Sequence, residues 1–239
     1  LGANLDSSSY NQVNNWILDY MDHRDFKTQI NEQFARIAKA VAAPSRIELL
    51  DLLAQGERSV EQLAQESRLT PANTSQHLQA LREAHLVTSH KEGLRVFYRL
   101  ADPEVFRLIE VIREIAAKQL AEVGRLVDTY RKDRKALEGI SLYELMSRLD
   151  DPALVVLDVR PRLEYEQGHI AGARSIPLDE LAARLQEISP EQEIVAYCRG
   201  PYCVLADEAV DLLLAQGYQV RRLQEGYPEW SLAGLPIEF

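Results

Sequence analysis

The chain has two cysteines, Cys198 and Cys203, and its most reactive chemistry is concentrated around them. Cys198 directly follows Glu193-Ile194-Val195-Ala196-Tyr197, an apolar run that fits a buried parallel strand. After it, Arg199, Gly200, Pro201, Tyr202, Cys203 and Val204 form a short loop into a helix expected over 204–216 and stopped by Gly217. Successive backbone N–H groups in such a loop make an anion-binding concavity, and the dipole of the following helix adds to it. Both effects favour thiolate over thiol, so the position predicts a lowered pKa at Cys198. Pro201 lacks an N–H and removes one donor from this cradle.

A second group of residues suits recognition rather than reaction. Thr70-Pro71 reads as an N-cap with proline at the first helical position, starting a helix that runs to about residue 84. Its first turns present Asn73, Thr74, Ser75, Gln76, His77 and Gln79, with no acidic side chain from Leu69 to Arg82. Polar side chains at the N-terminal end of a recognition helix read base edges in the major groove and bond phosphates. Lys91 and Arg95 lie further on in a predicted hairpin, as phosphate or minor-groove contacts or as plain exposed charges.

These residues need elements to hold them. Mixed three- and four-residue apolar spacing (Trp16, Ile17, Tyr20, Phe26, Ile30, Phe34, Ile37) predicts helix over about 11–42, and Ala43-Pro44-Ser45 ends it and starts the next. That second helix buries Ile47, Leu49, Leu50, Leu52 and Leu53 and stops at Gly56; a third runs over 60–66. Strands at 86–90 and 94–100 flank Lys91-Glu92-Gly93 as a hairpin. From Pro103 to about residue 134 one long helix is expected, with Val105, Ile109, Ile112, Ala116, Leu120, Val123, Val127 and Tyr130 on a stripe that calls for a partner. Beyond the charge run 131–135 the pattern becomes helix (141–149), strand (154–158), strand (193–197), helix (204–216) and strand (218–223). Such alternation predicts a parallel α/β sheet. The expected architecture is thus an N-terminal helical extension (1–28), a mainly α domain with a hairpin (29–131), a linker (132–140) and an α/β domain (141–239); the resemblance given below makes the second of these a winged helix-turn-helix for DNA binding and dimerisation.

Composition is compatible with both chemistries. The net charge of −10 is uneven: residues 141–239 carry 8 basic and 17 acidic side chains, whereas 68–99 carry a balance of +3 and three histidines. DNA affinity follows the placement of positive charge more than its total, so an acidic chain is not excluded as a DNA binder. No apolar run reaches the ~18 residues of a membrane span. Residues 1–10 have neither a basic start nor an apolar core and do not read as a signal peptide. Two cysteines five apart make no disulfide framework, so reduced thiols in a cytoplasmic protein are the expectation.

Two resemblances sharpen these expectations. The stretch Ala43-Pro44-Ser45-Arg46-Ile47, Leu63-Ala64, Leu69 to Leu78 and Leu81 to Val87 resembles the winged helix-turn-helix of ArsR-type bacterial regulators, over roughly 30–105. The resemblance implies a homodimer, joined through the long helix and the first helix, reading double-stranded DNA at an inverted-repeat operator. It does not bring the family's metal sites. Ser59-Val60-Glu61 stands where the thiolate site has Cys-Val-Cys, and 103–131 holds no histidine, so no metal and no cofactor are expected.

The second half resembles a rhodanese domain over about 140–237. The motifs are Leu157-Asp158-Val159-Arg160, Glu164-Tyr165, Gly168 to Ala173, Ile176-Pro177-Leu178, Tyr197-Cys198-Arg199-Gly200, Glu225 to Trp230 and Ala233-Gly234-Leu235-Pro236. This implies a Cys198 persulfide loaded by a small sulfur donor such as thiosulfate or polysulfide, with Arg199 available to an anionic donor. Cys203 is then either a resolving thiol that attacks that persulfide or a small apolar residue at a helix start. Asp158, Arg160, His169 and Trp230 read as structural. A phosphatase of related fold would need Cys-x5-Arg, and the fifth residue between would be followed by no arginine: counting on from Cys198 meets Cys203 and Val204. The implied function is a DNA-binding regulator that senses or transfers sulfane sulfur, or responds to an oxidant, without contact with a membrane. A sulfurtransferase that uses its winged helix for dimerisation, or a non-catalytic rhodanese interaction module, are the alternatives.

Overall fold

A computed structural model describes residues 22–132 and 139–239. Most of the expected N-terminal extension and the middle of the expected linker therefore lie outside the described residues. The chain divides into a unit up to Ala42 and a second unit from Ala43 to Phe239. The first contributes helix α1, His23–Val41, with Phe26 and Phe34 exposed on it.

The second unit begins with helices α2 (Pro44–Ala54), α3 (Val60–Glu66) and α4 (Pro71–Glu83). Each starts where the sequence offers a start. Pro44 and Pro71 occupy first-turn positions, Ser59 and Gln62 form a capping box, and the Thr70 side chain accepts from the Asn73 N–H. Leu49, Leu50, Leu53, Leu63, Leu78 and Leu81 are buried from these helices. The wing is the hairpin β2 (Val87–Glu92) and β3 (Arg95–Leu100), closed by Gly93 with φ +59 and Leu94. A two-residue strand β1 (Arg58–Ser59), for which the sequence offers no pattern, adds to its free edge in the order β1-β3-β2.

The long helix expected from Pro103 is two helices, α5 (Glu104–Gln119) and α6 (Ala121–Arg131). Leu120 between them is extended, with φ −110 and ψ 99. No proline or glycine adjoins the break. At the far end of α6, Arg131 reaches the buried Asp207 and the Pro201 carbonyl of the C-terminal half.

The C-terminal half is a five-stranded sheet of order β4-β9-β8-β5-β7 (Gly139–Ile140, Gln219–Leu223, Glu193–Tyr197, Leu154–Asp158, Arg174–Ser175), parallel throughout. Alternation along β8 sends Ile194 and Ala196 to one core and Val195 and Tyr197 to the other. Cys198, next in that alternation, falls on the side covered by α10 (Leu205–Ala215), among Ala206, Ala209 and Val210. Short elements α7 (Leu142–Met146), α8 (Arg162–Glu166), β6 (His169–Ile170), α9 (Leu178–Leu181), α11 (Tyr227–Leu232) and β10 (Ile237–Glu238) complete the half.

Candidate functional site: a cysteine loop held by the reader

The loop leaves β8 at Cys198 and enters α10 after Val204. Gly200 takes φ +147, a backbone that a side chain would strain. Gly226 lies directly beneath: a Cβ there would sit 2.3 Å from the Gly200 nitrogen and 2.6 Å from the Cys198 carbonyl oxygen. Tyr227 N–H donates to that carbonyl at 3.1 Å.

The thiols differ from the sequence expectation. Cys198 is 1% exposed. Burial pushes its pKa up, and its sulfur faces the carbonyls of Cys203 at 3.8 Å and Gly200 at 4.0 Å, neutral acceptors that suit a thiol. The lowered pKa belongs to Cys203, brought down to about 7. Its first cause is a hydrogen bond from the Cys198 thiol, followed, against burial, by the N–H groups of Arg199 and Leu205. Amides serve both sulfurs: the Ala206 N–H opposes the rise at Cys198 without overcoming burial, and those of Arg199 and Leu205 serve Cys203. The register of the loop sets the difference in burial: the first cysteine directly follows a strand buried from Ile194 onward, whereas the second stands at the mouth of the helix.

Arg199 is not available to an anionic donor. Its guanidinium bonds Glu164 through two nitrogens, with Nε 2.9 Å from Oε1, and reaches Glu66 of α3 at 2.6 Å. Glu164 in turn pairs at 2.8 Å with Arg58, a fully buried residue at the start of β1 that also bonds Glu66 at 3.0 Å. Two arginines and two glutamates, one of each from either half, thus form a closed cluster. Gln55 extends it: its amide donates to the Arg199 carbonyl at 3.3 Å and accepts from Arg160 at 3.1 Å. Arg160 is otherwise spent on Asp158 and the Gly168 carbonyl, which fits the structural role expected of that pair. On the other side of the loop, Asp207 binds Arg222 at 2.8 Å and Arg131 at 3.2 Å, and both arginines bond the Pro201 carbonyl.

Gln55, Arg58, Glu66, Arg131, Asp207 and Arg222 were not singled out by sequence. Each meets its partner across a separation no local pattern records; Glu66 and Arg199 are 133 residues apart. Glu164, Arg199, Asp158 and Arg160 do lie within the motifs that the sequence offers.

One residue expected on the recognition surface lies elsewhere. Asn73, Ser75, Gln76 and Gln79 are exposed on α4 and His77 is half-buried. Thr74 is fully buried, and its hydroxyl donates to the Thr70 carbonyl at 3.0 Å, so it faces the core and not a groove. Lys91 and Arg95 are exposed on the wing. His90 in the same window sits between Glu57 and Glu92. Among the described residues no cluster of histidine, cysteine, aspartate and glutamate is arranged to hold a metal ion, and no helix is long and apolar enough to cross a membrane.

A winged helix-turn-helix bonded to a rhodanese-like α/β half defines the class: a transcriptional regulator with a built-in cysteine loop. Comparison with known proteins identifies the same two parts. Residues 43–89 match the bacterial regulatory protein, arsR family, and residues 141–233 match the rhodanese-like domain. The HTH-type transcriptional regulator Rv0324 of Mycobacterium tuberculosis is 42% identical over 90% of this chain and 94% of its own length. The chain belongs to this family of ArsR-type regulators that carry a C-terminal rhodanese-like domain. A protein of Allochromatium vinosum named sulfurtransferase is 32% identical over 42% of this chain and 92% of its own. Among solved structures, the homodimeric winged helix-turn-helix DNA-binding domain of a possible ArsR-family regulator from Mycobacterium bovis is 39% identical, covering 42% of this chain and 91% of that one, with a TM-score of 0.38.

Proposed function

We propose that this regulator binds an inverted-repeat operator as a homodimer in the cytoplasm, and that sulfane sulfur or an oxidant reacting at the Cys198–Cys203 loop changes its hold on DNA. The observation that carries the reading is the bonding of the loop to the reader: Arg199 to Glu66, and the Arg199 carbonyl to Gln55. Glu66 is the last residue of α3, the helix that precedes the recognition helix. A change in loop covalency alters a contact of the DNA-binding unit without any relay between. Coupling further requires that modified and reduced loops differ in free energy between bound and free reader.

Gel shifts of wild type and Cys198→Ser, each with and without inorganic polysulfide, test the reading. Wild type changes operator affinity by about 5-fold or more on treatment, the lower range of allosteric coupling, and the variant does not. Equal affinity in all four lanes ends the proposal. Likeness to a protein named sulfurtransferase favours a second reading, turnover of thiosulfate with cyanide that is lost in Cys198→Ala. The engagement of Arg199 by Glu164 and Glu66 counts against it, since the donor would meet no free cation from that side chain.

A further inference from the structure

We infer that the cavity between helices α5 and α6 of the reader and the Pro201–Tyr202 side of the loop binds a small aryl oxyanion, held by Arg131 and Arg222. Sulfur chemistry at the loop is not a premise of this site. Its occupant touches both halves at once, Arg131 on the last helix of the reader and Arg222 on β9.

Charge is the first reason. Asp207 is buried between the two guanidiniums, 3.2 Å from Arg131 and 2.8 Å from Arg222, so two cations share one carboxylate. Both arginines also donate to the Pro201 carbonyl, and Arg222 donates to that of Gly200. Arg222 is only 5% exposed, yet Nη1 of each arginine has no bonding partner among the described residues. A buried guanidinium N–H without an acceptor is costly, and a surplus cation with little water around it favours an anion in that place. Asp128, which also lines the cavity, is exposed to solvent that screens its charge.

Shape defines the rest of the ligand. The cavity holds about 480 Å³, well beyond what a bare tetrahedral ion fills and within the range of small-molecule sites. Ala117 of α5, Val123 and Val127 of α6 and the Tyr202 ring give it apolar walls. Gly124 lies on the same wall, and a Cβ there would meet no atom within 4 Å. Neither a positive φ nor close packing calls for glycine at this helical position, where alanine would be the more stable residue. The missing side chain leaves space beside the two arginines. An aromatic body against these walls, with its oxyanion toward Arg131 and Arg222, satisfies the charge and fills the space together.

Isothermal titration of the full chain with 1-naphthalenesulfonate tests the site. The uncharged 1-naphthalenemethanol and sodium sulfate serve as probes of the apolar wall alone and of the charge alone. Wild type binds one naphthalenesulfonate per chain, and each of the other two binds at least about tenfold more weakly. Gly124→Leu fills the cavity from an open helical position, so it weakens the sulfonate at least about tenfold and keeps the melting curve of wild type. Arg131→Gln weakens the sulfonate and leaves the alcohol as it was. Leu126→Gln, on the exposed side of α6, binds the sulfonate as wild type does. Binding that survives Gly124→Leu, or that is lost in Leu126→Gln, puts the probe outside the cavity and overturns the inference. So does equal binding of the alcohol or of sulfate, an Arg131→Gln that binds the sulfonate undiminished, or no saturable binding up to about 1 mM.

Discussion

A thiol becomes a nucleophile at neutral pH only when something nearby prefers its anion. At this loop the preference is divided between two sulfurs, and each amide can serve only one. Arg199 and Leu205 serve Cys203, whose pKa falls to about 7, whereas Cys198 keeps its proton under burial. Iodoacetamide alkylation followed against pH should therefore show Cys203 labelling with a midpoint near pH 7. Cys198 should label only slowly across the neutral range. Because its partner's thiol is the first cause of the lowered value, Cys198→Ala should move the Cys203 midpoint upward. An unmoved midpoint would mean that the Cys198 hydrogen bond does not set it. The loop itself was legible: strand, cysteine, glycine and helix stand in the sequence in that order. Which sulfur the amides face was not, since it depends on how deeply the end of β8 is covered.

At the scale of elements, the starts of α3 and α4 were readable because capping is local. Ser59 with Gln62 and Thr70 with Pro71 state the N-termini in four residues or fewer. The inward face of α4 was equally readable, since Thr74, Leu78 and Leu81 fall at helical spacing, and counting every polar residue of its first turns as outward overlooked that period. The faces of α4 can be separated experimentally. Asn73→Ala and Gln76→Ala should each weaken operator binding by about 1–3 kcal/mol in a fluorescence titration while leaving the melting curve in place. Thr74→Val should do the reverse, lowering stability by about 1 kcal/mol through loss of the buried hydroxyl's bond to the Thr70 carbonyl, which keeps the Thr74 N–H, and leaving binding by the folded fraction intact. Equal effects of all three on binding would refute the assignment of faces. The break at Leu120 had no local signal.

At the scale of the molecule, reader and α/β half are joined by charge at positions with little water. Besides the cluster around Arg58 and Glu164, Arg113 of α5 lies between Asp51 at 2.9 Å and Glu229 at 3.9 Å. Glu229 is 8% exposed and sits against the cysteine loop, its carboxylate accepting the Gly226 N–H at 3.0 Å. Burial raises its pKa to about 7, outweighing that hydrogen bond and the attraction of Arg113, with Asp51 adding to the rise. A carboxyl group whose pKa is raised on folding binds its proton more tightly in the folded state. Its contribution to stability is then full below about pH 4.5, the unfolded value, and is lost as pH climbs to about 7. At 1.36 kcal/mol per unit, the loss is on the order of 3 kcal/mol. Glu229→Gln keeps an acceptor for Gly226 and cannot ionise. Relative to wild type, it should therefore gain stability as pH rises from 5 to 8, by up to about 3 kcal/mol in urea denaturation, a figure that already includes the Arg113 attraction. A difference between the two proteins that stays flat over that range would show that Glu229 ionises in the folded chain as readily as in water. The joint between reader and loop would then be no less stable with that charge in place than without it.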